Sequence, residues 1–395
     1  MARTSEAIHP FPARMAADIA LDELVALPSG SLVLDPMAGS GTVLRVAADL
    51  GHRALGFDVD PLAVLMTKVW TTPIDPRELR DAAHEVVAQA VSMDAHGVSL
   101  PWIDEDADTR DFVEYWFAAE QQTDLRRLSS SLYGRSGPIG EALKLVLSKI
   151  IVTKDRGASL ARDVSHSRPR RVHHYAGFAV QAGFLQAANR LARRLAAQPP
   201  PGGVEMALGD ARDLRGVRTA SIDAVVTSPP YLNAIDYLRG HRLALVWLGY
   251  RVGDLRGIRA SSIGSERAPE GTVDIALTEE IKGAMGSLGS LPTRVSQMVD
   301  RYVLDVAAAL GEVFRVLRPG GRAVFVIGNS SLKGVFIENA AAVRHVAQRL
   351  GFELIREHER DLPPNRRYLP PPATASGSDL RKRLRTETVL TYRRA

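Results

Sequence analysis

The chain of 395 residues is 45% apolar and 24% charged, enough to bury one large core or two modest ones. It has no cysteine, which excludes disulfides and thiolate metal sites and favours a reducing compartment. The first 15 residues contain no apolar stretch of signal-peptide length, and no run in the chain approaches the roughly 20 apolar residues of a membrane span. We therefore expect a cytoplasmic protein without a membrane partner and, because His9 has no clustered partners, without a metal site.

The net charge of +5 is distributed unevenly along the chain. Residues 144–171 contain eight Lys or Arg against two acids, and residues 366–394 again contain eight against two. Two basic segments in an otherwise acidic chain suit a polyanionic partner better than an even charge would. The alternative is that both are solvated, arginine-rich loops.

Seven short β-like runs alternate with helix-like segments, which predicts an α/β protein with a largely parallel sheet. The predicted strands are residues 31–37, 53–58, 204–208, 222–227, 322–327, 352–358 and 388–392. Helices are predicted at residues 42–50, 61–70, 297–317 and 339–350. Asp60 is expected to cap the second of these helices, and Pro319-Gly320-Gly321 to stop the third.

Two segments break this alternation. Residues 75–201 carry helical signals and a basic loop, which predicts an inserted, mainly helical subdomain within a domain made of residues 1–74 and 202–395. Residues 249–292 are rich in Gly and Ser, and we expect there a mobile loop over the candidate active site described below, or partial disorder.

A candidate ligand-binding turn follows the first predicted strand, in Asp35-Pro36-Met37-Ala38-Gly39-Ser40-Gly41-Thr42. Gly39 and Gly41 lack the Cβ atoms that would prevent a ligand from approaching the backbone. An acid at Asp35 would repel a pyrophosphate, and no Gly-Lys-Ser/Thr follows, so a positively charged ligand fits better. A plain structural turn is the alternative.

Two further acids end predicted strands. Asp58 ends the second strand, where a carboxylate can accept both hydroxyls of a ribose. Asp210 follows the third strand in Gly209-Asp210-Ala211, and it is equally well explained as a surface residue in a turn.

The tetrapeptide Ser228-Pro229-Pro230-Tyr231 directly follows an apolar run, residues 222–226. A buried strand there would deliver the four residues to the edge of the sheet. Consecutive prolines fix the backbone, so the carbonyl of Pro229 is available to accept a hydrogen bond. A turn with a buried tyrosine is the alternative explanation.

In this order, the glycine turn and the Ser-Pro-Pro-Tyr motif resemble those of the DNA amino-methyltransferases. The resemblance covers roughly residues 8–72 and 204–395, and it implies a class I methyltransferase fold, a Rossmann-like, seven-stranded, mostly parallel sheet with a helical insertion. It also implies S-adenosylmethionine as cofactor, with Asp35 holding the methionine amino group. The expected cofactor-binding residues are His9, Pro10, Phe11, Asp35, Pro36, Gly39, Gly41, Thr42, Asp58 and Asp210.

The resemblance implies methyl transfer to an exocyclic nitrogen of a base flipped out of double-stranded DNA. Ser228 and the Pro229 carbonyl would accept the two amino hydrogens, Pro230 would keep the turn rigid, and Tyr231 would stack on the base. A serine at the first position is typical of enzymes acting on cytosine N4, whereas Asp or Asn is more frequent with adenine N6. Adenine therefore stays open as the target.

DNA contacts are expected from the two basic segments, because arginine and lysine bind phosphates and arginine can also grip guanine. The insertion of residues 75–201 occupies the place where target recognition lies in some members of the family. The expected DNA-binding residues are Lys154, Arg156, Arg168, Arg170, Arg171, Arg366 and Arg367.

Two other functions stay open. An RNA methyltransferase acting on guanine N2 has similar motifs, but usually with Asp or Asn before the prolines and an appended RNA-binding domain. A non-catalytic nucleic-acid-binding protein on a methyltransferase fold would not need Gly39, Gly41, Asp58 and the intact tetrapeptide. A cognate restriction or defence-system protein is an open partner, and the sequence does not predict an oligomeric state.

Overall fold

The computed structural model describes residues 7–11, 14–94, 97–153, 156–162, 169–173, 175, 177–232, 237–265, 275–362 and 386–395. At its centre lies a seven-stranded sheet. Its strands are β1 (Leu32–Asp35), β2 (Arg53–Asp58), β3 (Val204–Leu208), β4 (Ile222–Thr227), β5 (Leu317–Gly328), β6 (Phe352–Asp361) and β7 (Thr386–Arg394).

The strand order across the sheet is β6-β7-β5-β4-β1-β2-β3. Neighbouring strands from β5 to β3 run parallel, and β7 runs antiparallel to both of its neighbours, β5 and β6. This order and these directions confirm the expected class I methyltransferase fold, a Rossmann-like, mostly parallel sheet. The strand order reverses between β1 and β4, and open α/β sheets bind ligands at the carboxyl edge of such a point.

The helices of the described chain either pack on the two faces of the sheet or form the insertion. They are α1 (Ala17–Leu24), α2 (Thr42–Asp49), α3 (Pro61–Thr71), α4 (Pro76–Ser92), α5 (Pro101–Asp104), α6 (Ala107–Trp116), α7 (Ala119–Leu132), α8 (Gly137–Ile151), α9 (Val180–Ala197), α10 (Tyr237–Leu245), α11 (Val252–Ser261), α12 (Ile275–Ala284), α13 (Thr293–Val316) and α14 (Asn339–Leu350). None of these helices combines the length and the apolarity needed to cross a membrane.

The central strands carry apolar side chains on both faces, and helices cover both of these faces. In β1, Val33 packs into a cluster with α1 and α2, whereas the next residue, Leu34, packs into a cluster with α13 and α14. Both side chains are fully buried. The uninterrupted apolar runs of the sequence therefore mark strands that are buried on two sides.

Helices α4–α9 lie within residues 75–201 and share one apolar core with α3 and α10. Trp102 Nε1 donates a hydrogen bond of 2.8 Å to the carbonyl of Val246, and Ser129 Oγ donates one of 2.7 Å to the carbonyl of Trp247. Both carbonyls belong to the short 3-10 helix Val246–Leu248, which follows α10. Division of the chain into two domains stays a prediction, and any such division crosses a continuous core.

The expectation of an irregular loop over residues 249–292 was wrong for the part that the structure describes. Two helices, α11 and α12, lie there, although residues 266–274 fall outside the described ranges. Val252 and Leu255 are buried against the insertion, while Ile281 and Met285 are buried with α13 and α14. The Gly and Ser content of the segment concealed these widely spaced apolar residues.

A core shared between the insertion and the sheet domain predicts one cooperative unfolding transition. Leu143→Ala removes a fully buried side chain of α8 and should lower the free energy of unfolding by about 2–5 kcal/mol. Val91→Ala, at an exposed position of α4, is the control and should change it by less than about 0.5 kcal/mol. The measurement is chemical denaturation followed by two probes, and a separate early transition in Leu143→Ala would contradict the shared core.

Candidate active site

The two sequence motifs meet at the carboxyl edge of the sheet. The glycine turn follows β1 and the Ser-Pro-Pro-Tyr segment follows β4, and these strands are paired in parallel at the reversal of strand order. Thr227, the last residue of β4, donates a hydrogen bond of 2.7 Å from Oγ1 to Oδ1 of Asp35, the last residue of β1. This contact between two buried side chains holds the motifs side by side.

The glycine turn needs both of its glycines for steric reasons. Gly39 and Gly41 have φ angles of 51° and 80°, which disfavour other residues. A Cβ atom on Gly41 would lie 2.6 Å from Oγ1 of Thr67 in α3, and one on Gly39 would lie 3.2 Å from the ring of Phe11. The turn is therefore packed tightly between α3 and the segment that precedes α1.

The segment around His9 lies on the glycine turn and is held there by the insertion. His9 Nε2 is 3.1 Å from Ser148 Oγ, and Lys149 Nζ donates a hydrogen bond of 2.9 Å to the carbonyl of Ile8. Arg194 donates another to the carbonyl of Ala7. Burial lowers the pKa of His9 to about 3, so its imidazole is neutral at physiological pH.

These contacts show a role for part of the basic segment that the sequence did not predict. Ser148 and Lys149 lie on α8, and they anchor the residues beside the glycine turn. Burial also lowers the pKa of Lys149 to about 8. Lys149 is thus part of the internal structure, although its charge had been counted toward a surface for a polyanion.

Asp35 is a buried acid with unusual titration. Its Oδ1 accepts hydrogen bonds from Thr227 Oγ1 and, at 3.2 Å, from the backbone N–H of Met37. Burial, opposed in part by these hydrogen bonds, raises the pKa of Asp35 to about 7, and the negative charge of Asp58 adds to the rise. No cationic side chain of the described residues forms an ion pair with Asp35.

Asp58 connects the end of β2 to the glycine turn. Its Oδ2 accepts a hydrogen bond of 2.7 Å from the N–H of Gly39, and its Oδ1 accepts one of 2.9 Å from the N–H of Asp60. Burial raises the pKa of Asp58 to about 6, with a further contribution from the charge of Asp60. Asp60 caps α3, as predicted, because its Oδ1 accepts from the N–H of Leu62 at 2.9 Å.

Ser228 has a defined hydrogen-bonding role in the structure. Its hydroxyl donates a hydrogen bond of 2.9 Å to the carbonyl of Val326 in β5. A serine hydroxyl has one proton and two lone pairs, so this bond leaves only acceptor capacity on Oγ. Within the described ranges no donor reaches the carbonyl of Pro229. The segment therefore offers two neighbouring acceptors.

The rest of the tetrapeptide is supported by the end of β5. The ring of Tyr231 lies over Gly328, where a Cβ atom would come within 2.7 Å of Tyr231 Cε2. Ser330 Oγ donates to the carbonyl of Leu232 at 2.5 Å, and Asn339 Nδ2 donates to Ser330 Oγ at 2.7 Å. Ser330 and Asn339 are buried, so they hold the segment in place from below and do not line an open pocket.

Asp210 lies after β3, where its sequence position predicted it, but its carboxylate is engaged within the protein. Arg212 donates to it from the backbone N–H and from the guanidinium, at 2.5–3.2 Å. The same guanidinium reaches Oδ1 of Asp305 at 2.5 Å. A cofactor contact for Asp210 stays a prediction.

The described arginines of the first basic segment are exposed. Arg170 and Arg171 form a short strand that pairs antiparallel with Ala161–Arg162, and we call this pair of strands the arginine hairpin. Arg156 precedes it in the chain. The guanidinium of Arg171 lies 5.1 Å from the ring centre of Tyr115, which is itself half exposed. Several residues named above for base or DNA contacts fall outside the described residues, namely Lys154, Arg168, Arg366 and Arg367.

Comparison with known proteins gives two relatives along most of the chain. The type II methyltransferase M.BsoBI of Geobacillus stearothermophilus is 21% identical over 409 residues, which cover 85% of this chain and 76% of the relative. The type II methyltransferase M.MvaI of Kocuria varians is 21% identical over 386 residues, which cover 91% and 84%. No family model matches the chain.

Solved structures of methyltransferases are also similar at low identity. Geranyl diphosphate methyltransferase in complex with S-adenosylmethionine aligns with 96% of this chain and 84% of its own, at a TM-score of 0.37 and 8% identity. A protein described as a DNA modification methylase of Thermus thermophilus, complexed with S-adenosylmethionine, aligns with 47% and 53%, at 0.25 and 19%. The strand order and directions of the sheet, rather than these scores, establish the fold as that of S-adenosylmethionine-dependent methyltransferases.

The raised pKa of Asp35 predicts a stability that falls as pH rises. The folded protein holds the proton of Asp35 up to about pH 7, whereas the unfolded chain releases it near pH 4. The raised pKa of Asp35 therefore adds to the free energy of unfolding in full below about pH 4, and this contribution is lost as the pH rises from about 4 to 7. Compared with Asp35→Asn, which does not titrate, the wild type should lose on the order of 4 kcal/mol across that window. Equal pH profiles of the unfolding free energy in both proteins would contradict a raised pKa.

Proposed function

We propose that this chain is a DNA methyltransferase that transfers the methyl group of S-adenosylmethionine to an exocyclic amino nitrogen, most favourably cytosine N4. The observation that carries the proposal is the pairing of β1 with β4, which places the glycine turn and Ser228-Pro229-Pro230-Tyr231 together at the reversal of strand order. Similarity to two type II methyltransferases along most of the chain supports it.

The cofactor half fits S-adenosylmethionine because it offers a buried acid to a cationic ligand. Asp35 has no cationic partner among the described residues, and burial, with a contribution from the charge of Asp58, raises its pKa to about 7. A methionine ammonium group beside Asp35 would restore the carboxylate by a charge-assisted hydrogen bond. In this proposal Asp58, at the end of β2, accepts the ribose hydroxyls, and the segment of His9, Pro10 and Phe11 contributes to the cofactor site, where Phe11 packs on Gly39.

The Ser-Pro-Pro-Tyr segment has to make an exocyclic base nitrogen nucleophilic, because the lone pair of that nitrogen is conjugated into the ring. Bound to the glycine turn, S-adenosylmethionine supplies an electrophilic methyl group. Ser228 Oγ, whose own hydrogen bond is donated to the Val326 carbonyl, accepts a hydrogen bond from one amino hydrogen, and the Pro229 carbonyl accepts one from the other. Two acceptors aimed at these hydrogens draw the nitrogen toward tetrahedral geometry and free its lone pair. A methylated, cationic nitrogen loses its proton readily, so Ser228 needs no ionisation.

Tyr231 offers its ring to the base, which has to leave the duplex at a cost of a few kcal/mol. Its contact with Gly328 fixes the position of the ring. A serine at the first motif position favours cytosine N4, and adenine N6 is the alternative target. Methylation of RNA guanine N2 is less well supported, because Ser228 stands where those enzymes usually carry Asp or Asn.

DNA is proposed to lie against the exposed arginines of the insertion, with Arg156, Arg170 and Arg171 contacting phosphates. Stacking of Arg171 on Tyr115 orders the guanidinium without neutralising it. A target-recognition role for residues 75–201 and a restriction or defence-system partner are further parts of the proposal, and the names of the two relatives, both type II methyltransferases, support only the second of these.

Modification-sensitive sequencing of DNA from cells that express the protein tests the function directly. We expect N4-methylcytosine at one recurring sequence in cells with the wild type and none in cells with Ser228→Ala. Removing one transition-state acceptor should reduce turnover about 10²–10³-fold while S-adenosylhomocysteine affinity changes less than about twofold.

Ser221→Ala is the matched control, because Ser221 lies just before β4 at the opposite end of the strand, and among the described residues its hydroxyl donates only to the carbonyl of Arg218. It should keep the mark. Adenine methylation would correct the base assignment, and an unmarked genome with marked RNA would replace the DNA proposal.

The arginine hairpin predicts a change in the salt dependence of DNA binding. Arg170→Ala combined with Arg171→Ala should weaken binding and reduce the slope of log affinity against log salt by up to about 2, because each lost phosphate contact removes about 0.9. Arg53→Ala with Arg218→Ala removes the same charge from exposed positions next to the amino ends of β2 and β4. If both pairs change the slope equally, the hairpin is not part of the interface.

A further inference from the structure

A buried histidine–carboxylate pair joins the two halves of the candidate site. Nδ1 of His241, in α10, lies 2.5 Å from Oδ2 of Asp60, the residue that caps α3. His241 is 8% exposed and Asp60 is 5% exposed, so solvent does not compete for this bond. A carboxylate at Asp60 can only accept, so its partner in this bond is the Nδ1–H tautomer of His241.

Asp60, which His241 holds in place, also holds Asp58, the proposed acceptor of the ribose hydroxyls. Its backbone N–H donates to Oδ1 of Asp58, while its own Oδ1 caps the N-terminus of α3. Asp58 in turn holds the N–H of Gly39. Asp60 therefore fixes the helix through its carboxylate and Asp58 through its backbone N–H, and Asp58 holds the glycine turn.

On the other side, His241 fixes the helix that follows the Ser-Pro-Pro-Tyr segment. Tyr237, the first residue of α10, stacks on Phe11 with a ring separation of 4.7 Å and an angle of 18°. Phe11 lies directly over Gly39, and the His241 ring is 5.8 Å from the Phe11 ring. The position of α10 thus determines where the aromatic cover of the glycine turn lies.

We propose that His241 is a positioning residue for S-adenosylmethionine, which acts through Asp60 to hold both the Asp58 acceptor and the cover formed by Phe11 and Tyr237. The inference rests on the proposed function, since it needs the glycine turn to bind this cofactor. From the sequence, Asp60 was expected only to cap a helix.

The test is calorimetric binding of S-adenosylhomocysteine to the purified full chain, without DNA. His241→Leu removes the N–H donor and leaves Asp60 buried without it, and we expect affinity to fall about tenfold or more. His241→Asn places an amide N–H close to the position of Nδ1 and should bind within about threefold of wild type. In methyl transfer, His241→Leu should raise the KM for S-adenosylmethionine and leave kcat at saturation within about threefold.

His345→Leu serves as the control, because His345 pairs with Glu280 at 2.9 Å between α14 and α12, away from the glycine turn. It should bind like the wild type. Asp60→Asn is a second variant in case His241→Leu does not fold, since Asn still caps a helix while removing the charge, and it should also weaken binding. The double variant Asp60→Asn with His241→Leu should bind no more weakly than His241→Leu alone.

Wild-type affinity in both His241→Leu and Asp60→Asn would overturn the positioning role, and so would a His241→Asn variant as weak as His241→Leu. Failure of the unaltered protein to bind S-adenosylhomocysteine would instead refute the proposed cofactor, and this inference with it. A protein that binds the ligand but leaves DNA unmethylated would refute the proposed substrate alone, because the binding assay contains no DNA.

Discussion

The hydrogen bond between Thr227 and Asp35 is the contact on which the rest of the site depends. It links the last residues of β1 and β4, the two strands between which the order of the sheet reverses. The glycine motif begins at Asp35, the last residue of β1, and the Ser-Pro-Pro-Tyr motif begins at the residue after β4, so a shift of one strand by a single residue would separate Asp35 from Ser228. The apolar packing of β1 and β4 against helices on both faces prevents such a shift.

The insertion supports the site more directly than a separate recognition module would. Its helix α8 holds the segment of His9 through Ser148 and Lys149, and its core continues into α3 and α10. The same body presents exposed arginines at residues 170–171. The proposed DNA surface and the anchor of the glycine turn thus belong to one packed unit.

Sequence patterns predicted the elements of the fold well because the central strands are buried on both faces and read as uninterrupted apolar runs. The order of the motifs likewise predicted their meeting at one edge of the sheet. Contacts between distant segments, such as Lys149 with the carbonyl of Ile8 or His241 with Asp60, could not be predicted from the sequence. The spacing of residues within a segment contains no information about its distant partners. Helices α11 and α12 were missed since their few apolar residues find partners only in the folded chain.

The central claim is that one sheet edge holds a cofactor and a base amino group face to face. A crystal structure with sinefungin, in which an amine replaces the methylsulfonium group, tests it most directly. We expect the ligand's amino acid end beside Asp35, its ribose beside Asp58, and the substituting amine facing Ser228 and the Pro229 carbonyl. Binding at another place, or with that amine turned away from Ser228, would contradict the account.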